Sequence, residues 1–273
     1  MKQQIPPLKC LFYGDPGSGK TRLSYSAALD ERTSPILVID AHGNPESTWD
    51  YPQENITVVP IRKIKDLNEP YDFFSEGQPG IHKFRSFLLE EFEVTEVPKF
   101  KTVVLDTITD IQRYSFNEAL GYVAGPGSFP KKREWEHFNK VLGQMINMAT
   151  LFYGLTEIGL NVIMTSHEKK KEDRNDGIER YQPLLDGQSD QEVPGKAMLV
   201  GRLMHISRLS GVQKRDTKDA RKEAEESQIA VFLKPTSTYV AKEQYGAQVD
   251  FILDPSITKI LDAIVLGRTP NTN

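Results

Sequence analysis

GDPGSGKT, residues 14–21, decides the reading of this chain. It fits G-x-x-x-x-G-K-[ST], the pattern of a phosphate-binding loop. LKCLFYG, at 8–14, is a short apolar run ending in glycine and reads as a buried strand. A helix is expected to follow over Lys20–Leu29. Strand, glycine-rich turn and helix is the context in which this motif holds a nucleotide. Gly14, Gly17 and Gly19 let the backbone turn so that successive N–H groups face phosphate oxygens, and Asp15, Pro16 and Ser18 complete the loop. The helix start adds its partial positive charge. Lys20 is expected to reach the β- and γ-phosphates of ATP, and the Thr21 hydroxyl to ligate Mg2+.

TVVLD, at 102–106, is the clearest strand and supplies a second part of the site. Its four apolar residues place Asp106 at the carboxyl end, where open α/β sheets bind ligands, and a carboxylate there can hold Mg2+ through water. Asp110, one turn into the helix expected over Thr107–Leu120, reads as a surface or capping residue. ILVID, at 36–40, is a strand expected to neighbour the phosphate-loop strand, and past it come Asp40, His42 and Glu46. A base for water must reach the attacking molecule and be unprotonated at neutral pH. Glu46 and neutral His42 are the candidates, while Asp40 either orients Mg2+ or caps a turn. NVIMTSHE, at 161–168, ends another buried strand with Ser166, His167 and Glu168. Polar groups in that position can sense a γ-phosphate and pass its presence to the following loop, with His167 the catalytic candidate among them.

The rest of the chain alternates as an α/β protein does. ITVVP (56–60) is strand-like, and Ile81, Phe84, Leu88 and Phe92 recur at helical spacing. GYVAGPGSFPKKR (121–133) is a Gly/Pro loop ending in three cations. Trp135, Phe138, Val141, Leu142, Met145, Ala149 and Phe152 trace the core face of one helix. Residues 167–197 form a long polar loop, and strands are expected around 200–210, 228–234 and 238–242, then a helix from Ser256. Residues 213–226 carry five cations and five acids and read as a charged surface segment. The expected fold is a single α/β domain over 1–273, with a mostly parallel central sheet flanked by helices and antiparallel strands near the carboxyl terminus. A nucleotide-binding core over 8–212 and carboxyl-terminal strands and helix over 227–266 divide it.

Composition removes other classes. Of 273 residues 38% are hydrophobic and 26% charged, which fits a globular chain rather than a disordered or fibrous one. No apolar run approaches the roughly 18 residues of a membrane span, and MKQQIPPLKC lacks a secretory signal's apolar stretch. Cys10 is the single cysteine, so there is no internal disulfide framework, and a cytoplasmic location is expected. One cysteine and five scattered histidines do not make a zinc module. The net charge of −4 excludes a bulk-basic nucleic-acid binder. No lid with clustered arginines supports a small-molecule kinase.

GDPGSGKT, ILVID with its polar exit, TVVLDTITD and NVIMTSHE stand in RecA-like order. Their details resemble the phage nucleotide-binding ATPases associated with single-strand annealing and recombination, the compact RecA-like Sak group. REWEHFNKVLGQMINMATLF is similar to that group's long helix, and VPGKAMLVGRLMHISRL and YVAKEQYGAQVDFILDPSITKI to its carboxyl-terminal strands. The resemblance covers roughly residues 8–265. It implies a RecA-type ATPase that binds single-stranded DNA, as a homo-oligomer with ATP at subunit interfaces, in the host cytoplasm if phage-encoded. By position, 121–133 resembles its first DNA-binding loop and 167–197 its second. Lys242 falls where such proteins place a lysine on a neighbour's γ-phosphate. Two departures matter. His42 stands where the family places a catalytic glutamate, which implies slow hydrolysis or a substitute such as Glu46. Gln244 stands where Lys-x-Arg would place an arginine.

Charge leaves the DNA question open. Residues 168–181 balance five cations against five acids, although Lys169, Lys170 and Lys171 are contiguous. SFPKKR (128–133) is cationic without compensation, and Phe129 can stack on a base. The alternative is a nucleotide-dependent switch or loader acting on a protein partner, such as a single-strand-binding or replication protein.

Overall fold

The computed structural model describes residues 5–43, 50–60, 100–121, 132–172, 177–207 and 227–268. Its centre is a run of parallel strands whose residues are apolar on both sides: β1 (Lys9–Gly14), β2 (Ile36–Asp40), β3 (Ile56–Pro60), β4 (Thr102–Asp106) and β5 (Asn161–Glu172). Continuous Val/Ile/Leu runs form such strands because both sheet faces are covered. The sheet is completed by β6 (Glu179–Pro183), β7 (Leu199–Ser207), β8 (Ser227–Phe232), β9 (Lys242–Glu243) and β10 (Phe251–Leu253). The main order is β10-β8-β7-β1-β5-β4-β2-β3, with β6 on β5 and β9 on β7. β1 is parallel to both β5 and β7, whereas β8, β10, β6 and β9 pair antiparallel. This is the expected RecA-like α/β architecture. One neighbour relation differs: β2 pairs with β3 and β4, not with β1, because β5 and β4 intervene.

Among the described residues five helices cover the faces: α1 (Lys20–Tyr25), α2 (Ile108–Ala119), α3 (Trp135–Gly154), α4 (Ser189–Lys196) and α5 (Ile257–Arg268). The strand period of two sorts the cores. Leu11, Leu37, Val103 and Met164 face α2 and α3, with Met145 and Phe152 of α3 buried against them. Cys10, Val38, Val104 and Ile163 face the opposite way, toward Leu23 of α1 and Ile260 and Ile264 of α5. Each fully buried aliphatic contributes about 1.5–3 kcal/mol. The helix after the phosphate loop is shorter than expected: α1 ends at Tyr25 and a 3-10 turn carries Ser26–Leu29.

Three further expectations change. Trp135 opens α3 but is 75% exposed, so it stands outside the core face that Val141, Met145 and Phe152 form. The polar stretch 167–197 is not a loop: β5 runs on to Glu172, returns as β6 in register Lys171↔Arg180, and leads into α4. Charge pairing stands in for apolar alternation there. Lys170 pairs with Glu179, and Tyr181 lies under both Lys170 and Arg202. In place of a strand over 238–242 there is an isolated bridge at Tyr239 and the two-residue β9. The helical pattern at 80–92, most of the loop at 121–133 and the segment 213–226 lie outside the described residues.

Candidate nucleotide-binding site

Parallel strands bring their carboxyl ends to one edge. Register sets Gly14 beside His167 and Asp40 beside Asp106, so the loop, Asp106 and the middle of β5 share that edge. Backbone crowding dictates the first loop residue: a Cβ on Gly14 would lie 2.4 Å from the Leu203 carbonyl oxygen on β7. Gly19 precedes α1 at φ +87°, a conformation open to glycine, and no side chain caps the helix. Asp15, Pro16 and Gly17 are exposed, while Ser18 is buried. His205 of β7 reaches the loop, its Nε2 lying 3.2 Å from the Gly17 carbonyl oxygen.

Lys20 folds back into this loop. Its Nζ donates to the carbonyl oxygens of Gly14 (2.8 Å) and Asp15 (2.7 Å). Burial lowers its pKa, and the charges of Asp106, Glu168 and Asp15 oppose that shift. The ammonium therefore sits among acceptors that anionic phosphate oxygens can replace.

Thr21 Oγ1 donates to Asp106 Oδ2 at 2.7 Å, and the Thr165 hydroxyl donates to Asp106 Oδ1. Burial raises the Asp106 pKa, against those two hydrogen bonds. Among the described residues hydroxyls hold this buried carboxylate, and none forms an ion pair with it. A hydroxyl and a carboxylate in contact are hard oxygen donors, so the pair fits Mg2+. Asp40 closes a turn, its Oδ1 accepting from the N–H groups of His42 (2.9 Å) and Gly43 (2.7 Å).

Beside this pair stand His42 and His167, with ring centroids 5.5 Å apart. His42 Nδ1 lies 3.1 Å from Asp110 Oδ2. Asp110 is neither the cap of α2 nor on the surface: Thr107 caps the helix by accepting from the Asp110 N–H, its hydroxyl donates to the buried Asp110 carboxylate, and Arg113 pairs with the other carboxylate oxygen at 3.0 Å. Burial lowers the His167 pKa, helped by the nearby Lys20 charge, so this imidazole is neutral at pH 7. Ser166 is structural, sharing a 3.0 Å hydrogen bond with Thr109. Glu168 forms a buried ion pair with Arg202 at 2.9 Å. Glu46 lies outside the described residues.

The remaining sequence candidates are engaged elsewhere. Lys242 donates to the carbonyl oxygens of Gly195 (2.9 Å) and Ala197 (2.6 Å) at the end of α4. Lys169 and Lys171 both pair with buried Asp190 (3.2 and 2.7 Å). Arg133 pairs with Asp186 at 2.6 Å and lies over the Phe116 ring. Phe129 and Lys131 are outside the described residues, while Lys132 is exposed. Sequence reasoning missed Thr165 and His205, whose roles depend on contacts between distant strands.

A glycine-rich loop between strand and helix, with a carboxylate two strands away in a RecA-like sheet, defines a P-loop nucleotide-binding protein. The chain belongs to the family described as AAA domain, whose model matches residues 6–245. No curated protein sequence matches it. Among solved structures it is similar to a KaiC-like protein from Pyrococcus horikoshii, at 14% identity and TM-score 0.41, over 82% of this chain and 77% of that one. It is also similar to the flagellar accessory protein FlaH from Methanocaldococcus jannaschii, at 10% identity and TM-score 0.45, over 92% and 88% of the two chains. Among the described residues no helix is long and apolar enough to cross a membrane.

Proposed function

We propose that this protein is an ATP- and Mg2+-dependent ATPase that binds single-stranded DNA and promotes annealing or recombination, as its resemblance to the phage Sak group implies. One observation carries the nucleotide part: Lys20 is held only five and six residues back, on loop carbonyls, beside the Thr21–Asp106 pair. The β- and γ-phosphate oxygens take over Lys20 from Gly14 and Asp15. Thr21 and Asp106 hold Mg2+, which when bound neutralises charge on those phosphates.

His42 is the base for water. A carboxylate only accepts, so Asp110 fixes the proton on His42 Nδ1 and leaves Nε2 with its lone pair. Glu46 is the other candidate for that role. Neutral His167 reads the γ-phosphate. The chain works as one domain, assembled as a homo-oligomer with ATP between subunits, in which Lys242 exchanges the Gly195 and Ala197 carbonyls for a neighbour's γ-phosphate.

The ion pairs of Lys169, Lys170, Lys171 and Arg133 favour a second reading, a nucleotide switch acting on a protein partner. Salt titration of single-stranded DNA binding, with and without ATP, separates the two. Direct phosphate contacts make affinity fall steeply with salt. ATP-dependent, salt-sensitive binding that Lys132→Ala and Arg133→Ala weaken supports DNA as the ligand. ATP turnover without DNA binding at any salt supports the switch.

A further inference from the structure

His42, Asp110 and His167 come from three separate elements, the exit of β2, the first turn of α2 and the middle of β5. Each offers one ligand atom, and these atoms all lie within 4.8 Å of one another. We propose that this trio is a transition-metal site, separate from the Mg2+ position at Thr21 and Asp106. Two imidazoles and one carboxylate select borderline ions such as Zn2+, Co2+ or Ni2+ over Mg2+ or Ca2+.

Two observations support a ligand here rather than a filled hydrogen-bond network. His167 Nδ1 is buried and has no hydrogen-bond partner among the described residues. Asp110 is already fixed by Thr107 and Arg113, so its remaining lone pairs are aimed without further ordering. The cation ties β2, α2 and β5 together at the phosphate edge. It occupies the two imidazoles given above to water and the γ-phosphate, and so acts as a brake on hydrolysis.

The test is Co2+ titration of the full chain after chelator treatment, without nucleotide, followed by visible d–d absorption and equilibrium dialysis. One equivalent is expected to bind with the absorption of nitrogen-ligated, low-coordinate Co2+. His42→Ala and His167→Ala are each expected to weaken binding at least ~100-fold, while Thr21→Ala leaves it unchanged. Thermal melts establish that the variants are folded. Wild-type protein that shows only the spectrum of hydrated Co2+ overturns the proposal, whatever the variants do. Binding lost in Thr21→Ala but retained in both histidine variants overturns it too, by assigning the ion to the Mg2+ position. Neither result touches the ATP reading, which nucleotide binding with Mg2+ tests separately.

Discussion

Thr21 and Asp106 are joined by a 2.7 Å hydrogen bond that ties the phosphate loop to a strand two places away in the sheet. The bond holds a hydroxyl and a carboxylate side by side before any cation arrives. It also places Asp106 in a setting that disfavours its charge, since burial is the largest influence on it. Such a carboxylate gains most from a divalent ion.

Asp106→Asn keeps the side-chain size and removes the charge. ATP turnover is expected to fall by about 100-fold or more, the scale of losing one electrostatic stabiliser of the transition state. The thermal midpoint at neutral pH is expected to hold or rise. The sign follows from the raised pKa: a carboxylate pushed up by burial costs stability progressively as pH rises from 3.8 to its folded value and in full above it, and Asn removes that cost. Turnover assays and thermal melts of the same preparations check both.

Gly14→Ala and Gly143→Ala are expected to move stability in opposite directions. The first puts a Cβ 2.4 Å from the Leu203 carbonyl oxygen and 2.6 Å from Ser18 Oγ. Forcing β7 and the loop apart costs about 1–3 kcal/mol and distorts the phosphate cradle. The second meets nothing within 4 Å and lies inside α3, so Ala gains about 0.5–1 kcal/mol of helix preference. Urea denaturation of the two variants measures the contrast.

Asp30 and Arg32 set an acid limb to the stability profile. Hydrogen bonds from Arg32 pull Asp30 from its ordinary 3.8 to about 2, and Arg32 also reaches Asp262 of α5 at 2.9 Å. A lowered carboxylate pKa gives stability that is whole above 3.8 and lost as pH falls through 2. Arg32 is 39% exposed, so solvent screening reduces the contribution to about 1–2 kcal/mol. Arg32→Ala is expected to lower the unfolding free energy by that amount at pH 7 and by little near pH 2. Denaturant curves across that range read it directly.

The phosphate loop and Asp106 were legible because local backbone needs dictate them. A turn into a helix start requires glycine, and a buried strand ending in Asp announces itself by its apolar run. Asp110 was legible as a first-turn acid but not as a site residue, since an acid suits a helix start whether its carboxylate faces water or His42. The β5–β6 hairpin was hidden for a different reason. HEKKKE and ERYQP carry no apolar alternation, and what holds them is Tyr181 under two cations and paired charges across the strands. The place of β2 was misjudged because strand order depends on crossovers, which no local pattern encodes. In sequence Lys169 and Lys171 stand out only as part of a contiguous cationic run, because their partner Asp190 lies on α4, beyond the hairpin.

The central claim is that the ammonium of Lys20, now on its own loop carbonyls, is the seat for a triphosphate. Calorimetric titration of Mg2+ with a nonhydrolysable ATP analogue into wild type and Lys20→Ala tests it most directly. Saturable one-site binding to wild type, and loss of that binding in a variant that melts normally, is the predicted result. Equal affinity in both proteins would contradict the account.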